Sequence, residues 1–312
     1  MSKKRWMLLC FSILAISLSL ACGRREDPRL SVLVPEGSTA LSHSWIESHY
    51  DDVYAVSRVS GADLLISAFA SETYDVIVAP VTLGLKMHAE EKPYKMAALI
   101  TRGNLHIASM RPLEGLQALD GEEIIAFGER QIPDFILSVL LDAVDFETPP
   151  HIVYVGSARH AMLELARDDE TIVMSAEPFL SFDVLDQDTL HIIDLGEVWK
   201  AHTGGNAFPQ AAVFIKDDAD GDRIADYLSR LEASVGWLLE GDDVAEVIDH
   251  LDYPLDVDVL LAAIPRSGFV FERALDIADE LQSFFEAVKA FDAALIGDTL
   301  PDASFYHAFE DE

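Results

Sequence analysis

YDVIVAPVTLGLKMHAEE (residues 74–91) changes character in its middle. Val76 to Ala79 is a short, unbroken apolar run bounded by a turn signal, the pattern of a strand buried on both faces. Pro80 ends it, because proline has no N–H to give to a ladder, and a helix is expected to open near Val81. Working outward, the same strand, Gly/Pro turn and helix succession recurs. It appears N-terminally in RLSVLVPEGSTALSHSWIESHY (29–50), with a strand over Leu30 to Val34, a turn at Pro35 to Gly37 and one amphipathic helix beginning at Ser38 and Thr39. It appears C-terminally in EEIIAFGERQIPDFILSVLLDAV (122–144), HIVYVGSARHAMLELARDD (151–169) and TIVMSAEPFLSFDVL (171–185). This rhythm predicts an α/β fold whose sheets are mainly parallel and flanked by helices. From about Ala219 onward the pattern reads as helices throughout, a helical tail on a lobe that already has its sheet.

Turn residues concentrate at MRPLEG (110–115) and GGNAFPQ (204–210), which predicts two lobes crossed twice by the chain. The expected division is 30–111 for the first part of lobe 1, 112–206 for lobe 2 and 207–312 for the remainder of lobe 1. A double crossing of this kind suggests a hinge. Ahead of the lobes, Lys3, Lys4 and Arg5 precede an apolar run that ends at Ala21-Cys22, the three-part layout of an export signal over 1–21. The run from Trp6 to Ala21 is shorter than the roughly 20 residues of a spanning helix. Cys10 would leave with the signal, so the mature chain is expected to hold no disulfide and to rely on packing.

The chain carries 55 Asp and Glu against 22 Lys and Arg, a formal charge of −33, and it becomes more acidic still once the basic leader is removed. Such a charge excludes nucleic acid as a partner. The acids are distributed along a chain that is 50% hydrophobic, so they describe a solvated surface rather than disorder.

Enzyme signatures are missing from the sequence. No G-x-S-x-G or H-E-x-x-H occurs, and Ser157 with His160 reads as the polar face of a helix. DDADGDRIAD (217–226) has the acids of a calcium loop in part, but Gly221 is misplaced and Ser229 stands where the bidentate Glu belongs, so a helix start is the simpler account. No metal or cofactor is expected. What remains is a set of loops, PEGST, APVTLG, TRGN, FGERQ and AEPF, each at the end of a predicted strand, where α/β sheets bind ligands.

The order of longer segments carries a resemblance. DVIVAPVTLGLKMHAEEKPYKMAALITRGNLHIAS (75–109), LDGEEIIAFGERQIPDFILSVLLDAV (119–144), MLELARDDETIVMSAEPFL (162–180), AFPQAAVFIK (207–216), IPRSGFVFERALD (264–276) and IGDTLPDASFY (296–306) follow one another as in type 2 periplasmic substrate-binding proteins of ABC importers. The chain resembles the branch serving nitrate, sulfonates, taurine and thiamine-precursor pyrimidines, from about Leu30 to Tyr306. The resemblance implies a monomeric two-lobed receptor, not an enzyme, that hands a small ligand to a membrane permease. It also places Gly37, Ser38, Thr39, Pro80, Thr82, Asn104, Gly128, Arg130, Gln131 and Glu177 around the ligand. Helix capping is the alternative role for Ser38, Thr39 and Glu177, and pairing with a surface acid the alternative for Arg130. Phe127, Phe179, Trp199 and Phe208 either stack on a ligand ring or fill the core. Arg130 and Arg102 are the cations that would offset the acidic surface for an anion. Cys22 is expected to be lipidated, as in a bacterial lipobox, although Ser19 stands where the usual Leu would; the membrane is then a partner through this anchor alone, and 22–29 is a tether. A sensory receptor and a pyrimidine-synthase-like enzyme are the rival functions, and the latter's cysteine-rich iron motif does not occur here.

Overall fold

The computed structural model describes residues 27–182 and 189–308; the leader and Cys22 lie outside the described residues. The first sheet contains β1 (Leu30–Pro35), β2 (Tyr54–Val59), β3 (Val76–Pro80), β4 (Tyr94–Arg102), β10 (Pro209–Lys216) and β11 (Phe269–Arg273), in the order β11-β4-β10-β3-β1-β2. The second contains β5 (His106–Ser109), β6 (Glu123–Phe127), β7 (His151–Val155), β8 (Ile172–Ser175) and β9 (His191–Asp194), in the order β7-β6-β8-β5-β9. Parallel pairing joins β1 to β2 and β3, and β6 to β7 and β8. These are the strand–turn–helix units of the sequence. By contrast β10 runs against β3 and β4, β11 against β4, and β5 against β8 and β9. The parallel strands run toward the seam between the sheets, whereas β5 and β10 are entered directly from that seam and must run away from it.

The first change of sheet falls at Gly103–Leu105, ahead of the turn-rich 110–115 segment where sequence places it. Gly103 (φ +65°) and Asn104 (φ +61°) are consecutive left-handed residues, which turn the chain sharply between β4 and β5. Burial of every residue from Tyr94 to Ser109 except Lys95 conceals this break within one apolar run. The return lies at 204–208, between the helix that ends at Thr203 and β10. Two further expectations change. The segment after Gly37 forms two short helices, α1 (Ser38–Leu41) and α2 (Ser44–His49), not one. Within the supposed helical tail, Phe269–Arg273 is the edge strand β11, because its aromatic and β-branched residues pair with β4 before the helix begins at Ala278.

Helix α3 (Ala62–Ser71) follows β2, and α4 (Val81–Ala89) follows β3 directly. Gly84 lets α4 ride close to the sheet: a Cβ there would meet the Phe214 ring at 1.9 Å. In the second lobe α5 (Ile132–Asp142), α6 (Ala158–Arg167) and α7 (Leu195–Thr203) cover the sheet. Ser157 caps α6 by accepting from the His160 N–H, so both residues belong to a helix terminus. Asp220 caps α8 (Gly221–Glu240) in the same way, through the Arg223 N–H, which accounts for the acid-rich stretch there. After α8 come α9 (Val244–His250), α10 (Val257–Ala263) and α11 (Ala278–Asp292).

The lobes share a core. Phe284 of α11 and Trp199 of α7 each lie 5.9 to 6.2 Å from partners in a ring cluster with Phe135 of α5 and Phe208 of the return crossing. Trp199 and Phe208 are therefore core residues, and half-buried Phe127 and Phe179 pack against the same kind of surface. A helix from the end of the chain thus straps the first lobe to the second.

Helix α8 fixes the segment that follows β1. The Ser234 hydroxyl donates to the Ser42 carbonyl at 2.6 Å, and the buried His43 ring bonds Ser42 Oγ through Nδ1 (2.9 Å) and Tyr227 Oη through Nε2 (2.8 Å). Burial first, and the Arg58 charge second, push the His43 pKa down from 6.5 to about 3. Its neutral form is the folded form, so the contribution is complete above pH 6.5 and is lost as pH falls toward 3. Across that window His43 should remove about 1.4 kcal/mol of stability per pH unit. Urea unfolding of the His43→Gln variant, followed against pH, should show a shallower acid slope than wild type; an identical slope would exclude His43 as a source of acid sensitivity.

Candidate functional site

Loops from both lobes and the crossing meet at the seam, and they divide into a packed half and an open half. In the packed half, Asn104 holds its neighbours by three hydrogen bonds. Its Oδ1 accepts from the Glu177 N–H (2.7 Å), and its Nδ2 donates to the Glu177 carbonyl (3.3 Å) and to Ser38 Oγ (3.2 Å). Ser38 in turn donates to the Glu177 carbonyl at 3.4 Å. Gly37 is the N-cap residue of α1, and the place of its absent Cβ is 3.8 Å from the Pro178 ring. No side chain caps α1, so the buried Ser38 serves the seam and not the helix end.

The Glu177 carboxylate is also engaged. Its side chain is fully buried; Oε1 accepts from Arg266 Nε (2.6 Å) and from Ser181 Oγ (3.0 Å), and Oε2 accepts from the Ser181 N–H (3.0 Å). Arg266 follows α10 in the first lobe, so this is an ion pair across the seam. Burial outweighs the opposing effect of Arg266 and Ser181 and pushes the Glu177 pKa up. Gly268 seats the same turn against the crossing: the Arg102 N–H donates to its carbonyl, and a Cβ on Gly268 would lie 1.8 Å from the Arg102 carbonyl oxygen.

The open half is a cavity of about 360 Å³. Pro80, Thr82, Leu83 and Lys86 line it from the first lobe, Gln131, Ile132 and Pro133 from the second, and Leu105, Pro209 and Gln210 from the two crossings. Both α4 and α5 begin at its wall. Pro80 is the N-cap residue of α4 and Gln131 that of α5, so free backbone N–H groups of two helices lie at one space.

Three of the residues expected around a ligand therefore line the cavity (Pro80, Thr82, Gln131), and four form the packed half (Gly37, Ser38, Asn104, Glu177). Thr39 is half-buried and lines neither. Gly128 (φ +76°) supports the cavity rim by packing under Pro133. Arg130 is exposed and does not line the cavity; its own N–H donates to Asp134 Oδ2 at 2.7 Å. Nor is Arg102 a free cation at the seam, since Glu272 and Glu280 neutralise it. Sequence reasoning missed Lys86, although it stands one helical turn after Thr82 and so on the same face of α4. It also missed Arg266, Leu105 and Gln210, which no local pattern marks.

No protein-family model matches the chain, and no curated protein sequence does. Solved structures do resemble it. An ABC transporter protein from Parabacteroides distasonis superposes with a TM-score of 0.76 at 19% identity, covering 91% of this chain and all of that one. The periplasmic aliphatic sulphonate binding protein SsuA from Escherichia coli gives 0.65 at 13% identity, over 91% of this chain and 94% of its own. The alkanesulfonate-binding SsuA from Xanthomonas axonopodis pv. citri, bound to MOPS, gives 0.59 at 16% identity, over 88% and 95%. At these identities the likeness is one of fold: the chain has the two-lobed periplasmic binding protein architecture.

Removing the cation of the seam pair should strand the buried Glu177 carboxylate. Breaking a fully buried pair from one side costs about 3–5 kcal/mol. Arg266 keeps a third of its side chain in solvent, so Arg266→Met should cost about 2 kcal/mol. Adding Glu177→Gln should restore part of that loss. Equal urea midpoints for Arg266→Met and wild type would show that the pair does not hold the lobes.

Proposed function

We propose that this chain is an extracytoplasmic solute-binding receptor that delivers a small ligand to the permease of an ABC importer. The observation that carries this reading is the cavity built jointly by both lobes and by both crossings, with two helix N-termini at its wall. A solute there touches both lobes at once, so the arrangement of lobes that makes all those contacts is the one it stabilises. The likeness in fold to proteins described as sulfonate-binding and as ABC transporter components supports the same role. In this reading the chain performs no chemistry: its side chains at the seam bind, orient and exclude water. The packed half serves as the fixed contact between lobes, and the open half admits the solute.

The reading includes export and a lipid tether at Cys22, which would hold the receptor beside its permease at the outer face of the membrane. Wild-type protein from its native envelope should enter the detergent phase on partitioning, and Cys22→Ala should stay in the aqueous phase. Identical partitioning of the two would remove the tether.

A thermal-shift screen of small organic anions, cations and neutral solutes, followed by solution scattering, tests the receptor itself. A bound solute at a hundred times its Kd adds about 2.7 kcal/mol, a rise of several degrees in Tm. Scattering should show a smaller radius of gyration with the bound solute. Absence of any binding solute, or turnover of the one that binds, would overturn the receptor reading.

A further inference from the structure

The walls of the cavity carry a charge pattern opposite to that of the molecule. The chain has 55 acids against 22 bases, yet among the described residues no carboxylate lines this space, and Lys86 is the single charged residue that does. Lys86 is half-buried, and among the described residues no Asp or Glu lies within ion-pair distance of it. Beside the helix starts of α4 and α5, the polar side chains at the wall are the Thr82 hydroxyl and the amides of Gln131 and Gln210; Leu83, Leu105 and Ile132 are representative of the rest.

Resting on the solute-binding reading above, we infer that the cavity takes an amphiphilic monoanion, with an apolar body against the leucine and isoleucine wall and one anionic group held by Lys86. Each competing class meets a physical obstacle. A cation would be placed beside Lys86 with no carboxylate to pair it. A zwitterion would bury its cationic end beside Lys86 and apolar wall, which is expensive without a carboxylate to pair it. A small inorganic oxyanion would satisfy Lys86 but leave most of about 360 Å³ unfilled, giving up the apolar burial that contributes about 25 cal/mol per Å². The packed half offers no second anchor, since Glu177, Ser38 and Asn104 are already bonded to one another and to Arg266. Lys86 is then the residue that sets charge specificity.

Calorimetric titration with simple probes decides the matter. Hexanesulfonate and hexanoate supply the two obvious sources of the anion; methanesulfonate shortens the body, hexylammonium reverses the charge, and sulfate and 2-aminoethanesulfonate represent the excluded classes. Wild-type protein should bind at least one hexyl anion, the methyl analogue at least tenfold more weakly, and the other three not measurably. Lys86→Met should reduce hexyl-anion affinity by roughly ten- to a hundredfold, the loss of one charged hydrogen bond, with an unchanged Tm in the absence of probe. Lys86→Glu should gain affinity for hexylammonium, a result that a merely structural lysine would not give. Binding of sulfate or 2-aminoethanesulfonate as tight as that of the hexyl anions, undiminished hexyl-anion affinity in Lys86→Met, or failure of both hexyl anions to bind wild type would each overturn the inference. If a solute of another class binds and compacts the protein, the receptor reading stands and only this assignment falls; if no solute of any class binds, the receptor reading falls with it.

Discussion

One amide side chain organises the seam. Asn104 bonds the peptide N–H and the carbonyl of Glu177 in the second lobe and the hydroxyl of Ser38 in the first, from a backbone position on the crossing between them. Asparagine suits this place twice over. It tolerates the left-handed conformation that the sharp exit from β4 imposes, and its amide presents a donor and an acceptor with the spacing of a peptide group. An aspartate there would set a carboxylate against the Glu177 carbonyl, and an alanine would leave the Glu177 N–H without its acceptor and the Glu177 carbonyl with the Ser38 hydroxyl alone. The rest of the packed half, including the Arg266–Glu177 pair and the close approach of Gly37 to Pro178, follows from the register this residue sets.

The two halves of the seam answer different physical demands. Where polar groups meet, burial is tolerated because each finds a partner: Glu177 accepts from Arg266 and from Ser181 twice, and Ser38 both donates and accepts. Where few partners exist, the wall is largely apolar and space remains open. A recognition site requires polar groups that are free when the ligand arrives. Among the charged residues at the seam, Lys86 meets that condition, while Arg102, Arg266 and Glu177 do not.

Much of the fold was legible because its signals are local. The unbroken run Val76 to Ala79, its end at Pro80 and the helix from Val81 could be read within a dozen residues, and the other parallel units in the same way. What escaped depends on distant partners. The change of sheet at Gly103-Asn104 is hidden because both flanking strands are buried and read as one hydrophobic segment. Strand β11 forms because β4 has a free edge, a fact recorded nowhere near Phe269. At the site, the strand-to-helix loops were legible, and the resemblance set Ser38, Asn104 and Glu177 around one ligand. Their bonding to one another was not legible, for they are distant from each other in the chain, and neither was the partner of the Glu177 carboxylate, Arg266. Arg130 drew attention as a cation on a loop, but the left-handed backbone at that residue (φ +57°) leaves its side chain exposed and off the cavity wall.

If the cavity takes an anion, as inferred above, a wall on which no described residue is acidic, inside so acidic a molecule, would separate how fast that anion arrives from how firmly it is kept. Outside, the net charge of −33 opposes its approach, and screening by salt, with a Debye length of about 8 Å at physiological ionic strength, lowers that barrier. Inside, a contact with half-buried Lys86 would be screened less than one at the surface. Added salt would then speed capture more than it hastens escape, the reverse of the behaviour of a binding protein whose surface attracts its ligand. Such a molecule would discriminate by residence time and not by encounter.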